Sequence, residues 1–257
     1  MKLKLFIPTV TGVLALTGCQ QVKDAVSTTP QFGVVALLDI SASTDQDALK
    51  QRYQKELLAV INQVVPQGAV IRADAIRATP LADTVFPVRI DVAKMSVINK
   101  NDLAMEDTLK NAKDSASQEL TRLLSNTPTT PMTRILDAIE VTSRIFNGEE
   151  MKGIPDRRLL IFSDMIESSE RYEFTRAGLS QRAISAIIQK DKQAGRIPKL
   201  SGVRVWIAGA GAGGGSHLSG DQLRGIEQFW LEYFRAAGAE LVPTRYGSTL
   251  LNFSVGP

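Results

Sequence analysis

Apolar positions along the chain follow two alternating patterns. "FGVVALLDI" (32–40) is an almost unbroken apolar run, as a central parallel strand covered on both faces requires. Over 44–64 the spacing changes to three and four, with Leu49, Tyr53, Leu57, Ile61 and Val64 on one side. That predicts an amphipathic helix, opened by Thr44 and Asp47 as a capping pair. "AVIRADAI" (69–76) and "FPVRIDV" (86–92) alternate as strands do, and Pro87 assigns the second to a sheet edge. A long helix is predicted over 102–126, with Leu103, Leu109, Ala112, Ala116, Leu120 and Leu123 on one face. "TPTTP" (127–131) breaks it, and a further helix covers 133–146. "RRLLIFSDM" (157–165) is a second buried strand ending in an acid. Beyond it come a helix over 179–193, the strand "VRVWIAGA" (203–210) and a glycine-rich loop. A helix over 221–237 and two short closing strands, "AELVPTRY" and "STLLNFSV", complete the chain. Strands alternating with helices predict an α/β fold with a mostly parallel sheet. No linker-like gap interrupts the alternation, so 32–257 is expected to form one domain.

The first nineteen residues stand outside this alternation. Lys2 and Lys4 precede an apolar stretch over 5–16, interrupted by Pro8. It is shorter than the ~20 residues that span a bilayer. It runs into Leu16-Thr17-Gly18-Cys19, which resembles the lipobox of bacterial lipoproteins. That resemblance implies a signal peptide over 1–18, cleavage before Cys19 and lipidation of its thiol. Anchoring by more than one acyl chain would be stable where a single chain is marginal. Residues 20–31, "QQVKDAVSTTPQ", are polar and read as a tether that reaches roughly 40 Å when fully extended. The folded body is then expected close to a membrane on its extracytoplasmic side, periplasmic or cell-surface.

Composition narrows the function. The chain has 257 residues, 44 % of them hydrophobic and 22 % charged, as expected of a globular body. The net charge is +3 with both signs interspersed, which argues against a nucleic-acid partner. Cys19 is the only cysteine, so an intrachain disulfide and a thiolate zinc site are excluded.

The candidate chemistry sits where the first strand stops. Asp39, Ser41 and Ser43 alternate, so a chain still partly extended points all three the same way. In open α/β sheets ligands bind beyond the carboxyl ends of the strands. One carboxylate and two hydroxyls suit a hard cation that prefers oxygen, such as Mg²⁺, Mn²⁺ or Ca²⁺. Two further oxygen donors occupy similar topological places: Thr133 at the start of a helix, and Asp164 at the end of the next buried strand.

Together these pieces resemble the von Willebrand factor type A (vWA) domain. Asp39-Ile40-Ser41-Ala42-Ser43 matches its D-x-S-x-S, Thr133 in "TRILDAI" its threonine, and Asp164 in "LLIFSDM" its second aspartate. The order of elements from about Phe32 onward also fits. The resemblance implies a Rossmann-like, doubly wound, mostly parallel sheet flanked by helices, with one antiparallel edge strand. It implies a metal-ion-dependent adhesion site (MIDAS) built from Asp39, Ser41, Ser43, Thr133 and Asp164, with Mg²⁺ the first expectation for the ion. It further implies a protein partner that supplies a carboxylate to the ion, and binding rather than catalysis. One position departs from the family: glycine often follows the second aspartate, and here Met165 stands there.

Other candidates carry less. Glu167 and Glu170 are expected in a solvated loop. "GAGAGGG" (209–215) contains a G-x-G-x-x-G, but after a late strand and without a suitably placed acid, so a loop bordering the metal face is expected rather than a dinucleotide site. His217, the only histidine, is expected to be exposed, and no G-x-S-x-G elbow accompanies it. Phe229, Trp230, Tyr233 and Phe234 read as a core stripe. A phosphatase built on Asp39 would need a second acid where Ser41 stands. The rival readings are a metal-assisted hydrolase using the same cation and a metal-free envelope scaffold.

Overall fold

A computed structural model describes residues 28–76, 86–95, 102–126, 132–175, 178–213 and 217–255. The lipobox, Cys19 and most of the tether lie outside the described residues, as does the break at 127–131. The strands are β1 (Phe32–Asp39), β2 (Ala69–Ile76), β3 (Val88–Val92), β4 (Asp156–Phe162), β5 (Val203–Ala208) and β6 (Tyr246–Gly247). The helices are α1 (Asp47–Val64), α2 (Asp102–Asn126), α3 (Ile135–Phe146), α4 (Gln181–Gln193) and α5 (Gly220–Ala236). The strands form one sheet in the order β3-β2-β1-β4-β5-β6. Only the β2–β3 pair is antiparallel, and β3 is an edge strand.

Successive residues of β1 feed opposite layers, as strand geometry demands. Val35 and Leu37 pack with α3, α4 and α5 through Ile139, Ile184 and Phe229. Val34, Ala36 and Leu38 pack with α1 and α2 through Leu57, Ile61 and Leu120. This double cover explains the lack of alternation in β1, which is buried along its whole length. The arrangement is the doubly wound α/β architecture, and it fixes one special place. Chain order reverses between β1 and β4, so the crevice beyond their carboxyl ends is the expected ligand position. Among the described residues, no helix is long and apolar enough to cross a membrane.

Several sequence expectations need correction. The first long helix starts at Asp47 rather than Thr44, and its N-cap, Gln46, makes no side-chain cap. Residues Ala42–Thr44 form a 3₁₀ turn instead, because the Thr44 hydroxyl is drawn back to the end of β1. The third helix starts at Ile135 because the backbone of Thr133 is paired with Ser168. Leu103 is 74 % exposed, so the buried stripe of α2 is confined to its later turns. Strand β5 stops at Ala208. Of the two closing strands, only Tyr246–Gly247 joins the sheet, beside a single Glu240–Arg204 bridge. The last segment is a strap rather than a strand. Leu250 donates its N–H to the Glu56 carboxylate at 3.1 Å, and Phe253 meets Trp206 edge-on at 5.4 Å.

Candidate metal centre

The turn after β1 is organised around Asp39, which is fully buried. The Ser41 N–H donates to Asp39 Oδ1 at 2.9 Å. The Thr44 hydroxyl lies 3.0 Å from the Asp39 carbonyl oxygen and 3.1 Å from that of Ser41, with one proton to share between them. These bonds bring the Ser41 and Ser43 side chains together, with their Oγ atoms 3.0 Å apart.

The end of β4 closes on the same carboxylate. Ser163 Oγ donates to Asp39 Oδ2 at 2.7 Å and accepts the Met165 N–H at 3.0 Å. The next residue, Asp164, is 1 % exposed, and its Oδ1 accepts the Ile166 N–H at 3.0 Å. Met165 has φ of 65°, in the left-handed region where glycine is at ease and a side chain costs strain. This chain holds that conformation with methionine where glycine would be unstrained. What holds it is burial of the side chain and a bond from Trp230 Nε1 to the Met165 carbonyl at 2.9 Å.

Thr133 reaches the region by another route. Its N–H donates to the Ser168 carbonyl at 2.9 Å, and the Ser168 N–H donates back at 3.0 Å. The threonine, 4 % exposed, is therefore strapped to the chain just beyond Asp164. Glu167 corrects the expectation of a solvated loop: it is 1 % exposed and accepts the Leu136 N–H at 3.1 Å, at the start of α3. Burial pushes its carboxyl up to about 7, against the opposing effect of the Ser169 hydroxyl and the α3 amides. Glu170 is exposed and pairs with Arg134.

Asp39, Ser41 and Ser43 thus form one tight cluster. Ser163 ties it to the Asp164 turn, and a backbone bridge ties Thr133 to that turn. Burial raises the Asp39 carboxyl, while hydrogen bonds from Ser163, Ser41 and Thr44 work to keep it ionised. The donor set fits a hard cation. The Ser41 and Ser43 hydroxyls are hydrogen-bonded to each other at 3.0 Å, a spacing that two adjacent ligands of an octahedral Mg²⁺ at ~2.1 Å, roughly 3 Å apart, could take over. Among the described residues no three His, Cys, Asp or Glu side chains gather, so an ion here would rely on hydroxyls. Ser41, Ser43 and Thr133 would hold it, with Asp39 and Asp164 supplying the compensating charge.

The glycine-rich loop borders this face. A Cβ on Gly213 would run into the backbone of Ser43, and the Gly211 N–H donates to the Asp164 carbonyl at 3.3 Å. The first four amides of the loop have little to offer a pyrophosphate. The amides of Gly209, Ala210, Gly211 and Ala212 already donate to the carbonyls of Ser248, Gly247, Asp164 and Gly209. His217 is exposed, and Phe229, Trp230, Tyr233 and Phe234 are buried in the core, both as expected. The sequence did not single out Ser163, and it cast Thr44 as a helix cap and Glu167 as a loop residue. A hydroxyl beside an acid at a strand end was the available signal for Ser163. Nothing local distinguished Glu167 from its solvated neighbour Glu170.

No protein-family model and no curated protein matches the chain. Solved structures do. Manganese-loaded TRAP protein of Plasmodium vivax is similar at 16 % identity and TM-score 0.44, over 88 % of this chain and 70 % of that one. The pilus adhesin SpaC of Lactobacillus rhamnosus GG, in its open conformation, is similar at 12 % identity and TM-score 0.45. That match covers 85 % of this chain and 28 % of the adhesin. The human COPII-coat protein Sec24c is similar at 8 % identity and TM-score 0.42, over 89 % of this chain and 30 % of that one.

Proposed function

We propose that this chain is a vWA-like binding module that holds a divalent cation, Mg²⁺ first, and captures a carboxylate of a protein partner on it. Five residues make the site: Asp39, Ser41, Ser43, Thr133 and Asp164. The observation that carries this reading is the Ser41–Ser43 oxygen pair at 3.0 Å, set beside the buried Asp39 carboxylate at the point where strand order reverses. Both aspartates are engaged by backbone or hydroxyl donors, which favours them as organisers and leaves the hydroxyls to face the ion. An ion with few direct carboxylates stays electrophilic, and a carboxylate from outside is the ligand that best neutralises it. The reading is of binding, not catalysis. Cys19 supplies the membrane anchor through its lipid, and the module works on the extracytoplasmic side.

The test is Mn²⁺ or Mg²⁺ titration of wild type and Asp39→Ala, with melting temperature as readout. Wild type is expected to be stabilised by the ion and the variant to be indifferent to it. Equal ion stabilisation of both would remove Asp39 from the site. Capture of envelope proteins on the immobilised chain, lost with chelator and lost in Asp39→Ala, tests the carboxylate partner.

A further inference from the structure

Near the end of β4 lies a buried polar atom that the D-x-S-x-S, threonine and aspartate set does not use. Tyr53, on α1, is fully buried, and its hydroxyl has no hydrogen-bond partner among the described residues. Its ring packs against Phe162, the last residue of β4, with centroids 5.4 Å apart. Phenylalanine would fill the same space without stranding a hydroxyl, and a stranded hydroxyl inside a protein is costly.

Two observations place this hydroxyl at the site. The first is Gly209, just past the end of β5. A Cβ there would collide with the Tyr53 oxygen and stand 2.9 Å from the Ser163 carbonyl, and the residue has φ of +98°. The loop gives up a side chain where the hydroxyl points, beside the residue that clamps Asp39. The second is electrostatic: after burial, the charges of Asp39 and Asp164 are the largest influences raising the Tyr53 hydroxyl. Burial, the largest cause, keeps the phenol protonated, so its hydroxyl is a donor.

We propose that the Tyr53 hydroxyl is a positioning group of the cation site, which would hydrogen-bond a water of the bound ion. This rests on the cation reading above. It adds a residue one helix away from the motif and explains why α1 carries a tyrosine there. Outer partners of this kind orient a metal's ligands, and losing one costs about 10- to 100-fold in affinity.

The experiment compares wild type, Tyr53→Phe and Asp39→Ala by calorimetric Mn²⁺ titration, with metal-free melting temperatures measured alongside. Tyr53→Phe is expected to melt at or above the wild-type temperature without metal and to bind Mn²⁺ about 10-fold more weakly. A Kd within twofold of wild type overturns the proposal. If the variant melts lower without metal, tyrosine Raman bands decide. A Mg²⁺-induced change in the hydrogen-bond-sensitive doublet, present in wild type and absent in Tyr53→Phe, supports the proposal, and no such change overturns it. Loss of binding in Asp39→Ala with full binding in Tyr53→Phe removes this inference alone. Full binding in Asp39→Ala removes the cation site and this inference with it.

Discussion

Ser163 Oγ donates to Asp39 Oδ2 across 2.7 Å, joining the ends of two strands that are 124 residues apart in sequence. The bond spans the point where strand order reverses, and it is buried. The same oxygen accepts the Met165 N–H, so a single hydroxyl sets both the Asp39 carboxylate and the turn that carries Asp164.

Ser163→Ala leaves Asp39 Oδ2 buried without this donor. Stranding a buried acceptor costs about 1–3 kcal/mol, more for a charged one. Urea unfolding without metal should show a loss of that size. Because burial already raises the Asp39 carboxyl, losing a bond that opposes the rise shifts it further up. Mn²⁺ affinity should then fall at mildly acidic pH by more than at pH 8. A variant with wild-type stability and wild-type affinity at both pH values would show that Ser163 does not organise the site.

Trp230 bears on the same turn from the core. Its indole N–H holds the Met165 carbonyl, which belongs to a residue in the left-handed region. Trp230→Phe keeps most of the ring but removes the donor, so the expected loss is about 1 kcal/mol from the bond, plus a smaller packing loss. The informative companion is Trp230→Phe with Met165→Gly. Glycine relieves the backbone strain and forfeits the buried methionine side chain, so its effect on stability and its effect on ion affinity should part company. Affinity restored by glycine despite lower stability is the expected result, read by thermal unfolding and Mn²⁺ titration. If glycine leaves the affinity of Trp230→Phe unimproved, the shape of the Met165 backbone does not govern the ion site.

The sheet was legible because burial on both faces writes itself as uninterrupted apolar runs, as in 34–38 and 159–162. The edge position of β3 was legible from Pro87 and from its alternation. The C-terminal strap was not. "STLLNFSV" has the composition of a strand, but the short β6 ends the sheet, and the segment spends its polar groups on Glu56 and Arg158 instead. The site divided in the same way. Asp39, Ser41 and Ser43 announce themselves through spacing, because a local turn makes a local pattern. Thr44 was misread as a helix cap, since a threonine three residues before an acid fits that role equally well. Ser163 and Glu167 bond to Asp39 and Leu136, far away in sequence, and the one local hint was the hydroxyl of Ser163 beside an acid at a strand end.

Glu167 gives a pH signature. Its carboxyl is pushed up to about 7 from an ordinary value of 4.5, chiefly by burial at the start of α3. Between those values the folded chain holds a proton that the unfolded chain has released. Stability from this group is therefore greatest at the acid end of the window and falls as pH rises through about 7, with a slope of at most ~1.4 kcal/mol per pH unit. Glu167→Gln keeps an acceptor for the Leu136 N–H and cannot ionise. It should flatten the slope between pH 5 and 7.5 and be the more stable protein at pH 8. Parallel profiles for wild type and variant in urea unfolding would show that Glu167 does not titrate in this range.

Arg158 lies at the other end of β4, five residues or roughly 16 Å from Ser163 along the strand. Its side chain is fully buried. It forks onto Asp156 at 3.0 and 2.7 Å, donates to the Ser254 carbonyl at 2.6 Å, and lies over the rings of Phe32, Trp206 and Phe253. Removing one partner of a buried ion pair costs about 3–5 kcal/mol when the other is left unmatched. Here Asp156 keeps Arg204 at 2.5 Å, so the lower end of that range is expected for Arg158→Ala. Arg158→Met should cost less, since it refills the space between the three rings. Both variants lose the anchor on Ser254, so limited endoproteolysis should cut the strap over 248–255 faster than in wild type. Mn²⁺ affinity should stay unchanged in both, because Arg158 and the candidate site lie at opposite ends of the strand, roughly 16 Å apart. A loss of affinity in Arg158→Met, with its fold intact, would mean that the strap and the site are coupled through the length of β4.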